Sequence, residues 1–119
     1  MNEAQKLFRV DNSVGGAKVI RLQKKNILDE LEISNIGRQL SELIDGGSNR
    51  LIIDFSNVEH LSSSALGMLI TIREKLRGFK GDMGLCKIRP EILQVFKITS
   101  LDQLFRIFPT EEEAVEKFI

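Results

Sequence analysis

The sequence predicts a single α/β domain over residues 1–119, with a central mixed β-sheet, an N-terminal hairpin and about four helices. Three observations lead there. Leu51-Ile52-Ile53, with Phe55 after Asp54, is a nearly unbroken apolar, β-branched-rich run, the pattern of a strand covered on both faces. From residue 50 onward, strand-like and helix-like segments alternate, so parallel strands must be joined by crossover helices that cover the sheet. The length of 119 residues allows one core that removes roughly 65% of the unfolded surface from water, and no disulfide or metal staple is needed.

Taken in order, Lys6 to Val10 and Ala17 to Leu22 read as two antiparallel strands joined by the turn-rich Asp11-Asn12-Ser13-Val14-Gly15-Gly16. Gln23 to Leu28 reads as a polar, irregular link. Ile33, Ile36, Leu40, Leu43 and Ile44 recur at spacings of three and four, with Asp29 or Ser34 near the start and Gly46-Gly47 after the end, which describes an amphipathic helix with a glycine stop. The strand at 50–55 is placed in the sheet interior. Ala65, Leu66, Met68, Leu69, Ile70, Ile72 and Leu76 then give a wide apolar face to a helix over 64–77.

Gly78 to Gly81 turns the chain into a strand at Met83 to Ile88. Pro90 suits a first helical turn, and Ile92, Val95 and Phe96 supply one apolar face of a short helix to about Lys97. A last strand fits Leu104 to Phe108, ended by Pro109. Thr110 with Glu113 is a capping-box signal for a terminal helix that buries Ala114, Val115 and Phe118.

Composition narrows the function. Seventeen basic and seventeen acidic residues balance to zero formal charge, and no basic stripe is interleaved with aromatics, so a nucleic-acid partner is not expected. The single cysteine, Cys86, excludes an internal disulfide and reads as a small buried hydrophobe in a reducing compartment. The longest near-apolar run, Ala65 to Ile72, is far too short to span a bilayer, and no apolar region follows Met1-Asn2-Glu3. A soluble, cytoplasmic protein is expected, with no membrane partner. One histidine and one cysteine make no metal-ligand cluster, and the glycines do not form a phosphate-cradling loop, so neither a metal nor a cofactor is expected.

The chemistry concentrates in Ser62-Ser63-Ser64, between the central strand and its helix. Serine side chains accept from the unpaired amides of a helix start, so all three read as caps on local grounds. If Ser62 is the N-cap, its oxygen is taken by the amide of Ser64 or Ala65, and the Ser63 hydroxyl at the first helical position faces outward. The carboxyl end of a strand in an open α/β sheet is also where function collects. A hydrolase would need one of these serines as nucleophile and His60 as base, but G-x-S-x-G is absent and no orienting acid can be singled out.

Over about fourteen positions this stretch resembles the STAS domain, specifically the bacterial anti-sigma factor antagonists, whose pattern is close to D-[LF]-S-x-V-x-x-[ML]-D-S-S-G-L-G. Asp54, Phe55, Ser56, Val58, Leu61, Ser63, Ser64, Leu66 and Gly67 match it, while Ser62 and Ala65 stand where the family usually has Asp and Gly. The resemblance implies a non-enzymatic binding switch. Its unphosphorylated form binds an anti-sigma factor serine kinase of the histidine-kinase-like ATPase type and frees a sigma factor or similar regulator. The kinase phosphorylates the serine at the position of Ser63, with Ser62 and Ser64 as the alternatives, and a metal-dependent serine phosphatase restores the binding form. It implies partner contacts at Asn26, Asp29, Ser62, Ser63, Ser64 and Leu66, since the link before the first helix lies beside the phosphorylated serine in that family. The alternative is a constitutive STAS scaffold or interaction module of a signalling or transport assembly.

Overall fold

The structure is a computed structural model in which residues 7–13 and 15–117 are described. The strand start expected at Lys6 and the burial expected of Phe118 lie outside them. In chain order the elements are β1 Phe8–Asn12, β2 Lys18–Leu22, β3 Asn26–Ile27, α1 Glu30–Asp45, β4 Arg50–Asp54, β5 His60–Leu61, α2 Ser63–Gly78, β6 Asp82–Cys86, α3 Pro90–Ile98, β7 Arg106–Phe108 and α4 Glu111–Lys117. A 3-10 turn at Leu101–Gln103 precedes β7.

Five strands form the main sheet in the order β1-β2-β4-β6-β7, so the apolar run of β4 lies at its centre, as expected. The β1–β2 pair is antiparallel and the other pairs are parallel, which makes the sheet mixed. Alternation along the strands divides the core in two. Ile20, Leu22, Leu51, Ile53, Met83 and Leu85 face the layer of α1, α2 and α3, whose contributions include Ile36, Leu40, Leu69, Leu76 and Phe96. Val19, Ile52, Cys86 and Phe108 face the other way, onto Ala114 of α4. Phe96 bridges Phe55 and Phe105 in edge-on contacts at centroid distances of 6.5 and 6.1 Å. In the α1–α2 layer, a Cβ at Gly37 would stand 3.0 Å from Met68 Cγ, so the bare glycine lets that side chain lie against α1.

Four boundaries differ from expectation, each with a local cause. β1 continues through Asp11 and Asn12, where a turn was expected, because Arg21 of β2 holds the Asp11 carboxylate and Lys18 Nζ donates to Asn12 Oδ1 at 2.6 Å. The irregular link at 23–28 contains a strand, β3, paired in parallel with β5. β6 stops at Cys86 because Lys87 takes a left-handed φ of 57°. Leu101 to Leu104 is spent on the 3-10 turn, entered through Ser100 at φ 61°, so β7 is only three residues long. The caps agree: Pro90 opens α3, and Thr110 Oγ1 accepts from the Glu113 amide at 3.1 Å.

Candidate functional site

β4 delivers the chain to the carboxyl edge of the sheet, where Asp54 Oδ1 accepts from the Ser56 amide at 2.7 Å and starts a turn through residues 56 and 57. Val58 and Phe55 anchor that turn in the core. β5 and β3 then bind side by side: the Glu59 and His60 amides donate to the Lys25 carbonyl at 2.7 and 3.1 Å, and the Ser62 amide donates to the Ile27 carbonyl at 3.1 Å. The serine turn is thereby fixed against the link that leads into α1.

The three serines separate into distinct roles. Ser62 is the N-cap of α2, its backbone extended at φ −87° and ψ 166°, and its Oγ accepts from the Ala65 amide at 3.2 Å. The Ser64 hydroxyl donates to Glu30 Oε2 at 2.8 Å and ties the start of α2 to the start of α1. Ser63 is exposed at the first residue of α2, and among the described residues its hydroxyl has no hydrogen-bond partner. The cap register expected from sequence is therefore the one observed.

The other candidate residues lie around this point. Asn26 is exposed in β3, with its Oδ1 2.8 Å from His60 Nδ1. Asp29 is the N-cap of α1, its carboxylate accepting from the Glu32 amide at 3.0 Å. Leu66, half-buried, rests one turn into α2 against the core. Lys24, in the link after β2, reaches Glu32 at 3.1 Å. Sequence reasoning passed over Leu28 and Leu31, which flank Asp29 and are 51% and 70% exposed. Both interrupt a charged stretch without fitting the core spacing of α1, and that mismatch was the available signal.

Beneath the turn, on the α4 side of the sheet, lies a charged cluster. Asp54 is almost fully buried, Arg21 Nε is 3.8 Å from its Oδ2, and Arg21 Nη2 is 2.6 Å from Glu111 Oε1. Burial alone would raise the Asp54 carboxyl, but hydrogen bonds from Glu111 and Ser56 outweigh it and hold the group below the usual carboxylate value. Burial, then the bond to Asp54, push Glu111 the other way, above the usual carboxylate value. Cys86, beside them, is buried and its thiol is pushed up to about 12, first by desolvation and then by the two carboxyls, so it is inert as a nucleophile.

No hydrogen bond links His60 to a serine among the described residues, and no group of three or more metal-binding side chains occurs among them. No helix among them is long and apolar enough to cross a membrane. What the site offers is an exposed hydroxyl at a helix start, held by a hydrogen-bonded cap, with exposed Leu28 and Leu31 at the neighbouring entry to α1. The STAS domain family profile matches residues 9–114.

The chain belongs to the STAS domain family. BtrV of Bordetella bronchiseptica is 22% identical to this STAS domain over 107 residues, which is 90% of each chain. An anti-sigma-factor antagonist (STAS) domain protein from Planctomyces limnophilus superposes with a TM-score of 0.82 at 22% identity, covering 94% of this chain and 97% of that one. The Bacillus cell fate determinant SpoIIAA, solved in its phosphorylated form, superposes with a TM-score of 0.71 at 23% identity, covering 92% and 97%. This STAS domain thus has the fold of the anti-sigma factor antagonists.

Proposed function

We propose that this STAS domain is a phosphorylation-controlled anti-sigma factor antagonist. Unphosphorylated, it binds an anti-sigma factor serine kinase of the histidine-kinase-like ATPase type and frees a sigma factor or similar regulator. Phosphate on Ser63 ends that binding, and a metal-dependent serine phosphatase restores it. The domain acts in the cytoplasm and catalyses nothing itself.

The observation that carries this reading is the exposed, uncommitted Ser63 hydroxyl between two serines whose hydroxyls are engaged within the chain. Modifying either neighbour removes an existing bond, whereas modifying Ser63 removes none. Leu28, Leu31 and Asn26 around it supply apolar and polar contact area for a partner surface.

Electrostatics favours a switch at the interface over one in the fold. Phosphate adds about −1.5 to −2 charges, and at a helix N-terminus its interaction with the dipole is favourable by ~0.3 to 1 kcal/mol. Against a partner carboxylate about 6 Å away, at an effective dielectric of roughly 40, the same charge costs on the order of 2.8 kcal/mol, or about two decades in affinity.

The test is a pull-down from the native cell with the unphosphorylated chain and with Ser63→Asp as baits. The bound proteins are identified by mass, and fragment masses locate any phosphate on the chain. A kinase captured by the first bait and lost from the second, with phosphate on Ser63, supports the reading. Equal capture by both baits and no phosphate points to the constitutive scaffold.

A further inference from the structure

β1 forms one border of the main sheet, and its partner on the inner side is β2. Which of its backbone groups face outward follows from the antiparallel ladder. Leu7 accepts from the Gln23 amide and the Ser13 amide donates to Ala17, so the odd-numbered positions are the hydrogen-bonded pairs with β2. The amides and carbonyls of Phe8, Val10 and Asn12 therefore point away from the sheet.

Edges of this kind are commonly blunted by proline, a bulge or a very short strand. The opposite border, β7, has both devices: it is three residues long and Pro109 follows it. β1 is a regular five-residue strand without either. It carries an exposed Arg9 and a half-buried Asp11 on one face, 3.5 Å apart as an ion pair within the chain, and Val10, 40% exposed, on the other.

We propose that β1 is a homodimerisation edge: two copies of this chain pair antiparallel through it about a two-fold axis at Val10, joining their sheets into one. In that register Phe8 faces Asn12 and Val10 faces Val10, so every outward amide meets an outward carbonyl. Arg9 of each copy faces Asp11 of the other. Sliding the pairing by two residues in either direction keeps the backbone bonds possible but sets Arg9 against Arg9 or Asp11 against Asp11. Like charges directly opposite are unfavourable and unlike charges favourable, so the charges select the register centred on Val10.

The helix side of the same edge is consistent with this occupant. A groove of about 480 Å³ runs beside β1, lined by Phe8, Val10, Leu43 and the Arg38–Gln39–Glu42 row of α1. A two-fold axis at Val10 makes the two grooves continuous and sets the α1 rows antiparallel, so Arg38 of one copy is directed toward Glu42 of the other. Within one chain Arg9 already pairs with Asp11 and Arg38 with Glu42; a second copy in this register gives each of the four a further partner of opposite charge.

The test is sedimentation equilibrium of the 119-residue chain from micromolar to millimolar concentration. A monomer–dimer equilibrium is expected. Val10→Pro deletes the central outward amide, which β2 does not use, so it should weaken dimerisation at least tenfold while the melting temperature holds. Arg9→Glu and Asp11→Lys should each weaken the dimer alone, and their mixture should restore it, because the mixed pair again faces unlike charges. Should Asp11→Lys fail to fold, since Asp11 also holds Arg21, Val10→Pro and Arg9→Glu decide the matter. A chain monomeric to millimolar concentration, a dimer indifferent to Val10→Pro, or a dimer that Arg9→Glu leaves intact overturns the proposal.

Discussion

Arg21 and Glu111, 90 positions apart in sequence, meet at 2.6 Å and bind the second strand to the last helix. The buried Asp54 carboxylate lies beside them, its Oδ2 3.8 Å from Arg21 Nε, so three ionisable side chains gather at the end of β4.

The opposite displacements of the two carboxyls make a pH prediction with a definite sign. Asp54, held below its ordinary 3.8, contributes stability above that value and loses it as the pH falls through its folded pKa. Glu111, held above its ordinary 4.5, contributes stability below that value and loses it as the pH rises through its folded pKa. As the pH rises above the ordinary 4.5 of Glu111, the stability of the parent relative to Glu111→Gln should therefore fall in urea titrations. A difference that stays flat as the pH rises would rule out the raised Glu111 carboxyl.

Ser63→Ala should keep partner binding and remain permanently on. Ser63→Asp carries one charge against nearly two, so about half of the phosphate effect, ~1.4 kcal/mol or one decade of affinity, is the expected loss. An acid in a first helical turn is mildly favourable, so melting should barely change. Calorimetric titration against the captured kinase and thermal melting should dissociate; an unfolded Ser63→Asp would instead make Ser63 a structural residue.

Leu28→Ser and Leu31→Ser test the apolar rim. Because these side chains are 51% and 70% exposed, each change should leave stability within about 0.5 kcal/mol. Partner affinity should fall by about tenfold or more if they anchor the interface. Unchanged affinity in both would place the interface elsewhere.

Two glycines give opposite outcomes for the same added methyl. At Gly81 a Cβ would lie 1.9 Å from the Asn49 carbonyl oxygen, a backbone atom that already accepts from the Asp82 amide, so Gly81→Ala should cost at least about 2 kcal/mol. At Gly67 nothing lies within 4 Å, and the residue is inside α2. Gly67→Ala should therefore stabilise by about 0.5 to 1 kcal/mol. Its methyl emerges on the exposed side one turn beyond Ser63, so partner affinity should drop even as the melting temperature rises.

What the sequence disclosed, and what it hid, follows from the range of the interactions. The central strand, both long helices and the Ser62 cap were legible because each is written in consecutive residues or in helical spacing. β3 and β5 were not, since two residues carry no periodicity and exist as strands only by pairing with each other across more than thirty positions. The Arg21–Asp54–Glu111 cluster was invisible for the same reason. The end of β1 was misplaced because Asp11 and Asn12 have turn-forming chemistry that partners on β2 override.

The β3–β5 pair also sets a clock. It is a separate two-stranded sheet of two-residue strands, while β4 is laced into the main sheet on both sides. In the free chain, the Glu59, His60 and Ser62 amides should exchange with solvent deuterium well before that of Ile52, through local openings that leave the core shut. The proposed contact surface is then the thermodynamically soft part of an otherwise firm molecule. A bound partner would register there as slowed exchange, with the central strand unaffected.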